Sequence, residues 1–294
     1  MTLTAHRKLQ LYGALLLLPA AALLGLFAYL PTVTTVLQSL YLPGFRGAPP
    51  EFVGLENYQY LFEDPKFWQV ARNNLLYALG TIPLSIALAL GMALLVNGRL
   101  PGRGLVRMAY FTPTILPMIA AANIWMFFYA PQIGLFNKLL GALGFSGVNW
   151  LGDPSVALYS IIVMSVWKEA GFFMLFYLAA LQAIPPELKE AADLEGTSRA
   201  RFFWRVTFPL LMPTTLFVLI NALINAVRVV DHLFILTKGG PNNATNLLLY
   251  YVYENAFAFF DRTTAATLTV MILLVLAAVA TLKFTLLDRR THYQ

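Results

Sequence analysis

The sequence predicts an all-α, polytopic membrane protein with six transmembrane helices and both termini on the cytoplasmic side. Three observations carry this fold class. The 294 residues are 59% hydrophobic and only 12% charged, about half the charge of an ordinary soluble chain. Long stretches hold no Asp, Glu, Lys or Arg: 9–45, 73–98, 108–137, 154–167 with 170–186, 206–227 and 263–282. Basic residues, finally, alternate between rich and poor from one connecting segment to the next. A helix needs about 20 mostly apolar residues to cross a bilayer, so these runs make six spans once Lys168-Glu169 is read as an interruption inside the fourth.

The helices fall near 11–30, 75–96, 108–129, 157–181, 210–234 and 265–287. The first has a basic start, Arg7-Lys8, but its apolar core exceeds the roughly 7–15 residues of a secretory signal. It is read as an uncleaved span. Pro83, Pro113 and Pro117 interrupt helices two and three, either as kinks that free carbonyls toward a cavity or as ordinary packing kinks. In helix four, Lys168 and Glu169 are neighbours, so they point about 100° apart and need not pair.

In helix five, Asn221, Asn225, Arg228 and His232 recur at i, i+4, i+7 and i+11, which puts them on one face of an unbroken helix. Polar groups inside a membrane are costly and usually face a cavity or a partner. Asn221, Asn225, Arg228 and Asp231 are therefore candidates for lining a solute pathway. Asn123, Trp125 and Trp167 join them, because amides and aromatic faces suit sugars. The competing reading pairs Arg228 with Asp231, bonds Asn221 and Asn225 to neighbouring helices, and packs the tryptophans.

Orientation follows from Lys and Arg. One set of segments carries Arg7, Lys8, Arg99, Arg103, Arg107, Lys189, Arg199, Arg201, Arg205, Lys283, Arg289 and Arg290; the other carries Arg46, Lys66, Arg72, Lys138, Lys238 and Arg262. The richer set belongs on the cytoplasmic side. That topological bias also accounts for the net charge of +6 without nucleic acid. Zero cysteines exclude disulfides and thiolate chemistry, and His6, His232 and His292 are too scattered for a histidine metal site. The segments between helices (31–74, 182–209, 235–264) are too short to bury independent cores. The chain divides into 1–72, a first helix with an external segment, and 73–288, a five-helix core holding the cytoplasmic loop 185–213.

That loop has its own grammar. Pro185 and Pro186 suit a first helical turn, followed by Glu187, Glu190, Asp193 and Glu195. Gly196 can stop the helix in the left-handed region, and Thr197 or Ser198 can cap the next one. Arg199, Arg201 and Arg205 ride the second helix with Phe202, Phe203 and Trp204, and Pro209 and Pro213 mark its junction with helix five. One reading is an interfacial hairpin that merely joins two spans.

The loop also resembles the EAA loop of ABC importer permeases. Glu190-Ala191-Ala192 is followed by three residues, Gly196, nine more, then Val206, Thr207, Phe208 and Pro209, with Val and Phe replacing the family's Ile and Leu. Further stretches are similar to carbohydrate permeases: Phe52 to Tyr58 (F-x-G-L-x-N-Y), Asn73-Asn74, Thr112-Pro113 through Trp125, and Leu236 to Pro241 (L-T-x-G-G-P). The resemblance, covering about 52–287, is to type I, binding-protein-dependent importers of maltose, other oligosaccharides and glycerol phosphate.

It implies a permease fold in a bacterial or archaeal cytoplasmic membrane, a second permease subunit forming a heterodimer, two ATPase subunits and an external solute-binding protein. The chain lacks a G-x-x-x-x-G-K-[ST] phosphate loop, so ATP and Mg would be bound by the partner ATPase and the chain would not itself be an enzyme. Glu190, Ala191, Ala192, Gly196, Val206, Phe208 and Pro209 would form the ATPase-coupling joint, with Glu190 meeting a basic group. A sugar, oligosaccharide or related polyol is the expected solute. The alternative is an ion-coupled secondary transporter, which predicts paired broken helices in symmetric halves; the sequence shows no such repeat.

Overall fold

A computed structural model describes residues 3–44, 49–98 and 101–287. Arg46, Arg99, Arg289, Arg290 and His292 lie outside the described residues, as do the side chains of His6, Arg7, Lys8 and Lys283. Five helical stretches are long and apolar enough to cross a membrane: Gln10–Gln38, Pro65–Asn97, Ala157–Gln182, Arg199–Leu236 and Arg262–Thr281. A sixth is a bent pair. The chain forms two compact units, 1–64 with 252–274 and 65–251 with 275–294.

In the first unit, α1 (Leu3–Leu24) runs through a π-helical turn, Gly25–Tyr29, into α2 (Leu30–Gln38). The expected end near residue 30 is passed by about two turns. The extra residue of the π turn sits just before Pro31, whose ring cannot accept an ideal helix in front of it. Leucines exposed all round this helix, Leu16 at 82%, mark a surface suited to lipid. The strands β1 (Tyr41–Leu42) and β2 (Glu51–Phe52) pair antiparallel, with Tyr41 opposite Phe52. Then comes α3 (Glu56–Glu63), and here the F-x-G-L-x-N-Y stretch acquires a physical meaning. Gly54 adopts φ +60, and Asn57 Nδ2 donates to the carbonyls of Ser39 (2.9 Å) and Tyr41 (3.4 Å). The Ser39 and Tyr58 hydroxyls meet at 2.7 Å. The motif is a bracket that ties α3 to the end of the first span.

The second unit is built on α4 (Pro65–Asn97), α5 (Arg103–Ile115), α6 (Met118–Phe128), α7 (Leu135–Ala142) and α8 (Ala157–Gln182), followed by α9 (Pro186–Leu194), α10 (Arg199–Phe202), α11 (Phe208–Val227), α12 (Asp231–Leu236) and α13 (Leu248–Tyr253); α14 (Arg262–Leu287) ends in it. Its core is the α4–α8 seam, where Tyr77, Ala89, Ala93, Val96, Ile161, Met164, Phe173 and Tyr177 are buried. Small residues let the helices close up. A Cβ on Gly80 would sit 2.8 Å from Ile162 Cδ1, and one on Gly171 would overlap the Tyr110 carbonyl of α5. The Asn73-Asn74 motif also meets the loop that follows the Leu236–Pro241 motif. Asn73 Nδ2 donates to the carbonyls of Asn243 (2.8 Å) and Asn246 (3.2 Å), Asn74 Oδ1 accepts from the Leu248 amide (3.2 Å), and Gln69 donates to the Asn242 carbonyl (2.9 Å).

Two expectations need correction. The third span is not one helix over 108–129: it breaks between α5 and α6, whose axes turn by 102°. Pro117 has no N–H and drives Leu116 into extended backbone, ψ 133. The fifth span does not run unbroken over 210–234. It starts earlier, at α10, crosses Pro209 by a π-helical turn (Phe203–Thr207), and its α-helix stops at Val227. Residues 228–230 are non-helical, and α12 begins a new short helix.

Candidate functional site

The 185–213 segment folds as a helical hairpin. Pro186 opens α9 at its first turn. The helix closes with the two bonds of a Schellman motif: the Thr197 amide donates to the Ala192 carbonyl (2.9 Å) and the Gly196 amide to the Asp193 carbonyl (3.2 Å). Gly196 takes φ +67, the left-handed value that favours glycine. The Ser198 hydroxyl then accepts from the Arg201 amide and caps α10. Glu190, Ala191, Gly196 and Pro209 are exposed, while Ala192, Val206 and Phe208 are half-buried. Lys189 and Asp193 form an exposed i,i+4 ion pair at 2.7 Å. Leu194 is 91% exposed at the tip of α9.

A second feature lies among the spans. A cavity of about 380 Å³ is lined by Tyr77 of α4, Thr114 of α5, Met118 of α6, Ser165, Lys168, Glu169 and Phe172 of α8, Asn225 of α11, the 228–230 break, and Asp231 and His232 of α12. Its charged lining has a local cause. The carbonyl of Pro113 would pair with the N–H of residue 117 in an unbroken helix, and Pro117 has none. The Lys168 ammonium takes that place, donating to the Pro113 carbonyl (3.0 Å) and the Leu116 carbonyl (2.6 Å). Glu169 has the Asn225 amide as its partner from α11. Behind them, fully buried His232 Nε2 stands 3.2 Å from the Ser165 hydroxyl.

The sequence candidates are therefore sorted by geometry. Asn225, Arg228 and Asp231 line the cavity, with Arg228 and Asp231 exposed. They do so from the end of one helix, a break and the start of another, not from a shared helical face. No ion pair joins Arg228 to Asp231 among the described residues. Asn221 donates to the Phe217 carbonyl of its own helix (2.8 Å), and Asn123 likewise to Ile119 (2.9 Å); neither lines the cavity. Trp125 is buried in an aromatic cluster with Phe128, Tyr129, Phe136 and Trp167. Trp125 and Trp167 border a separate apolar cavity of about 370 Å³. Lys168 and Glu169, left without a role by the sequence, are central here. The i,i+4 spacing of Pro113 and Pro117 was the available signal, since it leaves a carbonyl that some donor must reach. No group of three or more His, Cys, Asp or Glu side chains is arranged to hold a metal among the described residues.

Residues 69–293 match the model of the family described as binding-protein-dependent transport system inner membrane component. The chain is 36% identical to the sulfoquinovosyl glycerol transport system permease protein SmoG of Agrobacterium fabrum, over 89% of this chain and 85% of that one. It is 38% identical to the trehalose/maltose transport system permease protein MalF of Thermococcus litoralis, over 85% of each. It is 31% identical to the sn-glycerol-3-phosphate permease protein UgpA of Yersinia pestis, over 95% of each. In fold it is similar to a chain of the bacterial alginate ABC transporter crystallised with its alginate pentasaccharide-bound periplasmic protein: TM-score 0.85 at 22% identity, over 98% of this chain and 96% of that one. The protein thus belongs to the binding-protein-dependent transport system inner membrane components.

Proposed function

We propose that the chain is one of two permease subunits of an ATP-driven importer and carries a sugar, oligosaccharide or related polyol across the inner membrane. An external solute-binding protein delivers the solute, and two separate ATPase subunits bind ATP and Mg. Both termini and the 185–213 hairpin face the cytoplasm in this reading, as the Lys and Arg bias requires. Residues 73–288 form the permease core, and 1–72 supply the first transmembrane helix and an external segment. The observation that carries the proposal is the hairpin: a capped, rigid turn with Glu190, Ala191 and Leu194 exposed, joined without interruption through α10 to α11, the helix that brings Asn225 to the cavity. A push on the hairpin by a closing ATPase pair would reach the cavity through one continuous rod, which is how a local event can switch access between the two sides.

The solute class rests on the relatives, which handle sulfoquinovosyl glycerol, trehalose and maltose, and glycerol phosphate, and on the polar cavity lining. The test is reconstitution of the chain in lipid vesicles with its second permease, ATPases and binding protein. Uptake of a sugar or polyol that needs both ATP and the binding protein is expected. Uptake driven by an ion gradient without ATP would overturn the reading.

A further inference from the structure

A different cavity, of about 610 Å³, lies where two spans begin. Trp68, Arg72 and Leu76 of α4, Tyr159 in the first turn of α8, and Ser155 and Asn242 line it. It shares no residue with the cavity around Lys168. One wall is held in place by Gln69 and Asn73, which donate to the Asn242 (2.9 Å) and Asn243 (2.8 Å) carbonyls. Arg72 is the one charged side chain of the lining among the described residues. It is exposed and makes no hydrogen bond or ion pair among them. Asp153, which precedes the lining residue Pro154, is committed to its own turn: Oδ1 accepts from the Ser155 amide (2.8 Å) and hydroxyl (2.7 Å). The Tyr159 hydroxyl is exposed and has no partner either. An arginine fork that meets no carboxylate matches the oxygens of a phosphate.

The setting of the cavity narrows what carries that phosphate. Arg72 immediately precedes the charge-free run 73–98, which places it at the boundary between membrane and water. Trp68 and Tyr159 are exposed at the same level, where interfacial aromatic residues gather. Below Arg72 on α4 come exposed Leu75, Leu76 and Leu79, at i+3, i+4 and i+7 on the same face. On α8, Tyr159 also borders an apolar cavity of about 280 Å³ lined by Phe136, Trp150 and Val163 among others. Val163 in turn borders the apolar cavity that reaches Trp167. A polar, cationic cavity is thus followed by two apolar ones over about 12 Å of helix rise toward the middle of the membrane. A free anion would use only the first of these; an amphiphile uses them all.

We propose that this cavity is a phospholipid site: Arg72 bonds the phosphate, the Tyr159 hydroxyl bonds a neighbouring oxygen of the headgroup, and an acyl chain lies along α8 past Val163. The lining offers an ammonium headgroup no carboxylate, so phosphatidylglycerol is preferred to phosphatidylethanolamine. Under the topology given above, the lipid belongs to the outer leaflet.

The test uses the complete assembly, stripped of lipid in detergent and titrated with dioleoyl phosphatidylglycerol or dioleoyl phosphatidylethanolamine, with bound lipid counted by native mass spectrometry. Arg72→Gln is expected to weaken one phosphatidylglycerol per copy of this chain by about 10-fold or more, the size of a lost hydrogen bond to a charged group. Arg72→Lys, which keeps the charge but not the fork, should fall between, and phosphatidylethanolamine should respond less. Arg72 has no protein partner to lose, so the melting temperature of the lipid-free variant should match the wild type. Val163→Trp, which fills the apolar wall, should weaken the same lipid with Arg72 intact. Equal lipid counts and affinities in wild type and Arg72→Gln would overturn the site. Displacement of the lipid by excess inorganic phosphate, with Val163→Trp without effect, would make it an anion site and overturn the lipid assignment. Loss of the second permease or the binding protein from the Arg72→Gln assembly, at unchanged lipid binding, would mean that a protein covers the cavity, and overturns it equally.

Discussion

Lys168 shows how one charged side chain can be housed inside an apolar span. Its ammonium replaces the N–H that Pro117 lacks and satisfies two carbonyls at the α5–α6 break. Lys168→Met should therefore leave those carbonyls unpartnered and lower stability by about 1–3 kcal/mol, read as a lower melting temperature of the detergent-solubilised protein. An unchanged melting temperature would show that water replaces the ammonium without loss. Asn73 is a second case, because its amide holds the 243–246 loop by two carbonyls. Asn73→Leu is expected to cost about 1–2 kcal/mol, read as a lower melting temperature of the detergent-solubilised protein. At this scale the sequence revealed which residues are unusual but not what they touch. Lys168 and Glu169 adjoin in the chain, yet one reaches back to α5 and the other across to α11.

At the scale of elements, the hairpin was the most legible part of the chain because its signals are local. Proline at a first turn, glycine at a left-handed position and serine at a cap each act within a few residues, and the Schellman bonds at Gly196 and the cap at Ser198 follow the sequence expectation. Gly196→Ala should cost about 1 kcal/mol through left-handed strain, with uptake reduced but present. Gly196→Pro and Glu190→Lys should leave the protein inserted while separating uptake from ATP hydrolysis; co-purification of the ATPase at wild-type level together with normal uptake would count against the coupling role. The two span breaks were less legible. Pro117 was visible as an interruption, but neither the size of the turn, 102°, nor the Lys168 ammonium that meets its carbonyls was. The end of α11 at Val227 has no proline or glycine to announce it. The 228–230 break forms part of the cavity lining.

For the whole molecule, the question is what energises transport. Vesicles carrying the complete assembly should accumulate solute when ATP is supplied inside with the ATPases, and should continue when an ionophore collapses ion gradients. Loss of uptake with the ionophore alone would favour an ion-coupled mechanism. Close packing sets a second expectation at this scale. Gly171→Ala pushes a methyl group into the Tyr110 carbonyl across the α5–α8 contact, so a loss of about 1–3 kcal/mol is expected from overpacking, seen as a lower melting temperature and weaker assembly.

The sequence by itself determined the class of solvent, the approximate number and places of the spans, the hairpin and its turn, and the resemblance that the family match later bore out. These are written in composition, in apolar run length and in residues a few positions apart, where chain connectivity alone places the groups together. The tertiary structure alone decided that Asn221 and Asn123 bond their own helices, that Trp125 belongs to an aromatic cluster, and that Glu169 reaches Asn225 at the edge of a cavity. The cavity draws Tyr77, Thr114, Lys168, Asn225 and His232 from separate helices. Their meeting depends on helix packing, on glycines that let backbones approach, and on breaks that turn the chain, and none of these distances is encoded in the local order of residues.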